Sequence, residues 1–218
     1  MSAATASATA STANIIKTNL TTEGAIADNS SYNEKQQVFF IDLDDTVVDR
    51  SKIQYRDLDL AIPQLEENNN KVLITTARGY GRSPDNPIDQ PQEAFRGLVQ
   101  ITVREIQNIL KALNINTNYF LSNEYKLKIE FDKEIMDIDG RKFHCWKPVG
   151  LPIIFTSPYK GVAFKVFKKE LGIDPSHTIV TFDDNELVNE NYKFAFNQLK
   201  VKARIYHVDN SQVEFDSE

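Results

Sequence analysis

Four groups of polar residues in this chain have the types and the spacing to do chemistry together, and the first is a run of acids. Asp42, Asp44 and Asp45 follow an apolar run at 38–41 and precede Thr46. A carboxylate at the end of a buried strand is held stiffly, and a second one two residues later returns toward the same point if the backbone turns. One of two such acids can act as a nucleophile and the other as a general acid. The plainer alternative is that one of these residues caps a helix.

The other three groups are a threonine, a lysine and a second pair of acids. Thr76 is the second of two threonines that follow the apolar run at 72–74, Lys160 stands at the predicted start of a helix, and Asp183-Asp184 follow the run at 178–182. A threonine hydroxyl can donate to an anion. A lysine at a helix start is unusual because cations are favoured at the opposite end, and a bound anion would resolve that conflict. Taken singly, Thr76 is also a common strand-terminal residue and Lys160 a solvated residue of a turn.

The acids would repel one another strongly if the fold brought them together. A hard cation among them removes this conflict, and Mg²⁺ held by one or two carboxylates plus a substrate phosphate suits such a cluster. The sequence therefore predicts a Mg²⁺ site that receives a phosphorylated substrate.

The elements that must position these residues alternate between strands and helices from Val38 onward. Predicted strands cover 38–41, 72–74, 178–182 and 203–208, and predicted helices cover 57–67, 104–113, 161–171 and 192–199. This alternation predicts an α/β fold with a three-layer, doubly wound, Rossmann-like parallel sheet. Sites in such sheets lie beyond the carboxyl ends of the strands. The polar groups at 42–46, 75–78 and 183–185 all follow strands, so we expect them to share one site.

The domain organisation is predicted from shifts in composition. Residues 2–13 are all Ala, Ser or Thr, and 1–37 are predicted to be a disordered tail. The catalytic domain would cover 38–208, with a small β-rich cap or flap inserted at about 80–158, and 209–218 would form an acidic tail. Within the insertion, β-like runs stand at 119–121, 126–131, 142–146 and 151–155.

Composition excludes several classes of function. The net charge of the 218-residue chain is -6, so no overall field attracts nucleic acid or an anionic bilayer. No apolar run approaches the roughly 20 residues that span a bilayer. Neither a secretory signal nor a mitochondrial presequence fits a chain whose first base is Lys17, which predicts a cytoplasmic location, with delivery into a host cell left open. Cys145 has no partner for a disulfide and lacks the Cys/His spacing of a structural zinc site.

The four groups are similar to the four motifs of the haloacid dehalogenase (HAD) superfamily. Residues 38–46 resemble its first motif, an apolar strand followed by Asp-x-Asp-x-Thr. Residues 73–78 resemble the second motif, 160–163 the third and 179–184 the fourth, in the same order. Residues 151–167 further resemble a bacterial subgroup of that superfamily, the DUF2608-like proteins. The resemblance implies a Mg²⁺-dependent phosphomonoester phosphatase that acts through an aspartyl-phosphate.

The resemblance also implies a role for each residue that matches a motif. Asp42 would attack phosphorus, and Asp44 would protonate the leaving oxygen and then activate water; an acid at position 44 is absent from the dehalogenase branch. Thr76 and Lys160 would hold the phosphoryl oxygens. Whether Thr75 or Thr76 faces the phosphate depends on strand register, and the following Ala-Arg favours Thr76.

The metal ligands implied by the resemblance are acids of the first and fourth motifs. Mg²⁺ would bind the Asp42 carboxylate, the backbone carbonyl of Asp44 and Asp184, with Asp183 beside it, and which of the last two contacts the metal stays open. The family often places an asparagine after the second acid pair, but here Asn189 comes one position late and receives no role.

The substrate is less defined than the reaction. The 83 residues between Thr76 and Lys160 leave room for a modest cap or β flap, and a partly open site suits a bulky substrate such as a phosphotyrosine protein, as for some bacterial effector-type relatives. A sugar or nucleotide phosphatase is one alternative. A catalytically silent HAD-like module that binds a partner is another. A response-regulator receiver fits less well, because it places its acid pair early and a lone acid later.

The segment 141–147 mixes bases with aromatic residues and could contact a substrate near its phosphate. A β hairpin whose alternate residues pack and face water is the favoured interpretation.

Overall fold

The computed structural model of the chain describes residues 13–17, 20–32, 34, 36–49, 54–55, 61–66, 69–78, 92–122, 124–136 and 139–211. Its strands are β1 (Asn14–Lys17), β2 (Gln37–Asp42), β3 (Val48–Asp49), β4 (Gln54–Tyr55), β5 (Lys71–Thr76), β6 (Ile129–Met136), β7 (Lys142–Pro148), β8 (Ile153–Phe155), β9 (Thr178–Asp183) and β10 (Ala203–His207). Its helices are α1 (Thr22–Ser30), α2 (Ala61–Glu66), α3 (Gln92–Glu105), α4 (Gln107–Ala112), α5 (Thr117–Leu121), α6 (Lys160–Glu170) and α7 (Glu186–Leu199).

One mixed sheet organises the fold. Its strand order is β1-β10-β9-β2-β5-β8-β7-β6. Every neighbouring pair from β1 to β8 is parallel, whereas β7 and β6 run antiparallel at one edge. The short hairpin β3–β4 follows β2 and forms a separate two-stranded sheet. The protein is therefore an α/β protein with a mostly parallel sheet, compatible with a Rossmann-like fold.

The central strands are apolar because both faces of the sheet are covered. Every residue of β2 and of β9 is buried. Side chains alternate along a strand, so Phe39 and Ile41 pack on one face while Val38 and Phe40 pack on the other, against α6. Fully burying a large apolar side chain contributes about 1.5–3 kcal/mol, which makes these short strands the core of the domain.

Residues 13–17 and 20–32 before β2 are part of the fold, so the predicted disordered tail over 1–37 is wrong for these residues. Strand β1 pairs in parallel with β10. Helix α1 buries Ala25 and Ile26 completely. An edge strand is held by backbone hydrogen bonds on one side and needs few apolar side chains. The polar composition of this stretch therefore did not predict the strand. Residues 1–12 lie outside the described residues, as do 212–218 of the predicted acidic tail.

The predicted cap is also different in the structure. Strand β8 lies inside the main sheet beside β5, and the β6–β7 hairpin extends that same sheet, so these strands do not form a separate cap. The β-like run at 119–121 belongs to α5 instead, whose start is capped by the Asn116 side chain accepting from the backbone N–H groups of Asn118 and Tyr119. Residues 79–91, where the insertion was predicted to begin, lie outside the described residues.

The direction of β7 brings the hairpin turn to the carboxyl edge of the sheet. Trp146 of β7 pairs antiparallel with Phe155 of β8, so the start of β7 lies at the end of β8. The turn that contains Gly140 therefore reaches the edge where parallel sheets place their sites. Among the described helices, the longest have 14 residues, and none is long and apolar enough to cross a membrane.

Candidate active site

Two neighbouring strands bring Asp42 and Asp183 together. Asp42 ends β2 and Asp183 ends β9, and the parallel pairing of Ile41 with Phe182 places the two ends side by side. Both side chains leave the sheet on the face covered by α6 and α7. They are deeply buried, with exposed fractions of 7% for Asp42 and 1% for Asp183. Two carboxylates buried this close repel each other unless one of them binds a proton or a cation lies between them.

Lys160, the first residue of α6, supplies that cation. Its Nζ donates a hydrogen bond of 2.7 Å to Oδ2 of Asp183 and a second, short one to Oδ1 of Asp42. The lysine is 2% exposed. Burial lowers the pKa of its ammonium, but Asp183 and Asp42 raise it more, so the net shift is upward. Lys160 is therefore a charged group held between the two carboxylates.

The start of α6 is fixed by α7. Oδ1 of Asn191 accepts hydrogen bonds from the backbone N–H groups of Gly161 at 2.7 Å and Val162 at 3.3 Å. A Cβ on Gly161 would overlap the backbone carbonyl of Asn191, so only glycine permits this approach. The Asn191 contact satisfies free N–H groups of the first helical turn and holds Lys160 in place.

Asp184 completes a group of three acids that could hold a metal ion. Each of Asp42, Asp183 and Asp184 offers a carboxylate oxygen, and these atoms lie within 4.8 Å of one another. When ionised, three carboxylates and one ammonium leave two negative charges. Burial, followed by the charges of Asp183 and Asp45, raises the pKa of Asp184 to about 6. Burial likewise raises the pKa of Asp42, an effect that Lys160 opposes. The donor set is hard oxygen with excess negative charge, which fits Mg²⁺.

Asp44 is placed differently from the other acids. Its Oδ1 receives hydrogen bonds from Nη2 of Arg78 at 2.6 Å and from Nε of Arg78 at 3.1 Å. Arg78 also forms an ion pair with Glu105 of α3. The backbone does turn after Asp42, because Asp45 has a φ of 59° and its N–H donates to the carbonyl of Val48. The turn thus brings the Asp44 carboxylate to Arg78.

The structure places Thr75, not Thr76, on the face of Asp42. Thr75 is the direct cross-strand partner of Asp42 in the β2–β5 pairing, so their side chains share a face. Thr76 therefore points to the opposite face, where its Oγ1 accepts a hydrogen bond of 3.1 Å from the N–H of Arg78. The expectation that Thr76 faces the phosphate depended on strand register, and the register favours Thr75.

The sequence analysis placed Arg78 near this site without giving it a role, and it did not predict Asn191 or Tyr192 as site residues. Tyr192 of α7 is 1% exposed. Burial raises the pKa of its hydroxyl, and the charge of Lys160 opposes that shift. Val188, Tyr192 and Ala195 are spaced by four and three residues on α7, and all three are buried. This helical spacing could have predicted that Tyr192 faces the core. Asn189, which received no role, donates to the backbone carbonyl of Asp183 and ties α7 to β9.

The segment 141–147 belongs to the predicted hairpin, but side chains alternate between buried and more exposed positions only up to Cys145, because Trp146 and Lys147 are both buried. Phe143, Cys145 and Trp146 of β7 are buried, with Cys145 fully so. Burial raises the pKa of the Cys145 thiol to about 12. This cysteine is therefore an inert core residue.

Known proteins contribute little to the interpretation of this site. No protein-family model matches the chain, and no curated protein matches it. Among solved structures, the chain is similar to a hypothetical protein from Geobacillus kaustophilus HTA426 at 11% sequence identity, with a TM-score of 0.27 and coverage of 78% of this chain and 93% of that one. A TM-score this low supports no inference about fold or function.

Proposed function

We propose that this protein is a Mg²⁺-dependent phosphomonoester phosphatase of the HAD type, with Asp42 as its nucleophile. One observation carries the proposal: the buried ammonium of Lys160 bridges Asp42 and Asp183, and Asp184 lies within metal-ligand range of both acids. A buried cation among acids at the carboxyl edge of a parallel sheet suits the binding of a phosphate and a metal.

The topology supports the same proposal. The strand that carries Asp42 lies at the centre of the sheet, between the strand of Asp183 and the strand of Thr75. The candidate residues of the first, second and fourth motifs therefore stand on three adjacent strand ends. This juxtaposition agrees with the HAD resemblance of the sequence.

In the proposed reaction, an oxygen of the Asp42 carboxylate attacks phosphorus. The bond between phosphorus and the leaving oxygen breaks, and that oxygen takes a proton from Asp44. Water then attacks the aspartyl-phosphate, gives its proton to Asp44, and releases phosphate and the Asp42 carboxylate. Lys160 lowers the repulsion between Asp42 and the anionic substrate throughout. When bound, Mg²⁺ would neutralise further phosphate charge, with Asp42, Asp183 and Asp184 as the residues that hold it.

One observation favours a second candidate function, a catalytically silent partner-binding module. The Asp44 carboxylate is occupied by the guanidinium of Arg78. A carboxylate in this ion pair is not available to protonate a leaving group. The phosphatase proposal therefore requires Arg78 to release Asp44 when substrate binds, while the ion pair that Arg78 already forms with Glu105 can remain.

Hydrolysis of 4-nitrophenyl phosphate separates the two candidates. The wild-type protein should release nitrophenol with Mg²⁺ and stop when EDTA is added. Asp42→Asn should reduce kcat by at least about a thousandfold, because it removes the nucleophile. Asp174→Asn is the matched control, since Asp174 is an exposed acid of a distant loop, and it should keep full activity. A folded wild-type protein without activity would favour the silent module.

A further inference from the structure

A cavity of about 700 Å³ opens at the starts of α6 and α7. Its volume falls in the range of roughly 300–1,000 Å³ that is typical of small-molecule sites. The wall is formed by the start of α7, the loop before α6 and the hairpin turn before β7. None of its lining residues has a role in the chemistry proposed above.

Two residues of the cavity wall are direct sequence neighbours of residues in the proposed site. Tyr159 in its wall immediately precedes Lys160, and Asn185 immediately follows Asp184. The hydroxyl of Tyr159 donates a 3.0 Å hydrogen bond to Oδ2 of Asp139 in the hairpin turn. This contact holds the turn, and with it Arg141, at the rim of the cavity. The cavity wall therefore flanks Lys160 and Asp184.

The large exposed side chains of the cavity lining include two apolar residues of α7. Leu187 and Phe194 lie seven residues apart on the same face of α7 and are 80% and 58% exposed, unusual values for such large apolar side chains. The two asparagines of the lining hold helix starts through their side-chain oxygens. Oδ1 of Asn185 accepts from the N–H groups of α7, and Oδ1 of Asn191 accepts from those of α6. These two oxygens already accept hydrogen bonds from backbone N–H groups.

We propose that this cavity is the leaving-group subsite and that it takes an aromatic ring. Burial of a ring against Phe194, Leu187 and Tyr159 removes apolar surface from water on both partners. The guanidinium of Arg141 adds a planar cation of the kind that stacks on aromatic faces. The inference rests on the proposed phosphatase function, since it assumes that the phosphate lies at Lys160. It selects aryl phosphomonoesters over sugar phosphates as the substrate class.

The test compares two phosphonates that cannot be hydrolysed, so leaving-group reactivity has no influence. We expect the full-length protein with Mg²⁺ to bind benzylphosphonate at least about tenfold more tightly than methylphosphonate in calorimetry. Phe194→Ser combined with Leu187→Ser should reduce this ratio to near one. Both side chains are exposed, so circular dichroism should show an intact fold. Val149→Ser, an exposed apolar residue at the other end of β7, is the control and should keep the ratio.

The outcomes separate this inference from the function on which it rests. Equal binding of the two phosphonates, or a benzyl preference that the double variant retains, overturns the subsite alone. Failure of both phosphonates to bind overturns the phosphate site, and the subsite with it. A preference that is lost only in the double variant supports both.

Discussion

The ammonium of Lys160 lies in hydrogen-bond contact with the carboxylate of Asp42, although 118 positions separate them in the chain. The contact links the end of a central strand to the start of a helix that covers the sheet. Because both groups are buried, the contact affects stability as well as the proposed chemistry.

Removal of the Lys160 ammonium alone should lower the stability of the protein. Lys160→Met would leave Asp42 and Asp183 buried without a cation, and breaking such a pair lowers the free energy of unfolding by about 3–5 kcal/mol. Urea denaturation measures this loss. Lys193→Met, which removes an exposed ion pair with Glu190, is the control and should change stability by less than about 1 kcal/mol. Asp42→Asn added to Lys160→Met should restore part of the loss, and strict additivity of the two changes would contradict the coupling.

Gly161 should tolerate no side chain. Gly161→Ala places a Cβ against the backbone carbonyl of Asn191, so α6 must move away from α7 and carry Lys160 with it. We expect a fall in melting temperature and a loss of 4-nitrophenyl phosphatase activity. Gly97→Ala is the matched control, because a Cβ on this helical glycine meets no atom within 4 Å. That substitution should stabilise the protein by about 0.5–1 kcal/mol. Equal effects of the two substitutions would show that the close approach is absent.

The three-acid cluster should respond to Mg²⁺ in a thermal-shift measurement. Mg²⁺ stabilises the wild-type protein if it binds only the folded state, so the melting temperature should rise with its concentration. Asp184→Asn removes one ligand and should abolish most of this rise. Without metal the same variant should melt higher than wild type at pH 8, because burial and Asp183 disfavour the ionised carboxyl that it removes. A Mg²⁺-induced rise of the same size in both proteins would exclude Asp184 as a ligand.

Cys145 should be unreactive in the native protein across the ordinary pH range. Its pKa is raised to about 12 by burial, so at pH 9 only about one thiol in a thousand is ionised. Labelling by 5,5′-dithiobis(2-nitrobenzoate) at pH 8 should therefore be slow and should become rapid in 6 M guanidinium, a denaturing concentration. Fast labelling without denaturant would show that β7 is not packed as described.

The central fold was predictable because its strands carry continuous apolar runs. Residues 38–41, 178–182 and 203–208 were predicted as strands, and they correspond closely to β2, β9 and β10. Strand β1 and helix α1 were missed because a short edge strand depends on backbone pairing, and Ala25-Ile26 is a small apolar signal in a polar stretch. The start of α7 was predicted at 192, six residues late. The prediction relied on apolar residues, and the Asn185 cap and the first helical turns are largely polar.

The acids of the site were predictable from their positions after strands, but their contacts were not. The Arg78–Asp44 pair joins residues 34 positions apart, and no local pattern specifies it. The choice between Thr75 and Thr76 depends on a register that shifts side chains between faces with each residue. Long-range geometry therefore decides which acids contact Lys160 and which contacts Arg78.

Direct detection of the covalent intermediate tests the central claim. The protein would be mixed with 4-nitrophenyl phosphate and Mg²⁺, quenched in acid within the first turnover, digested, and examined by mass spectrometry. We expect one phosphoryl group on the peptide that contains Asp42, and none on the Asp42→Asn protein. A phosphoryl group on another residue, or hydrolysis that persists in Asp42→Asn, would contradict the central claim.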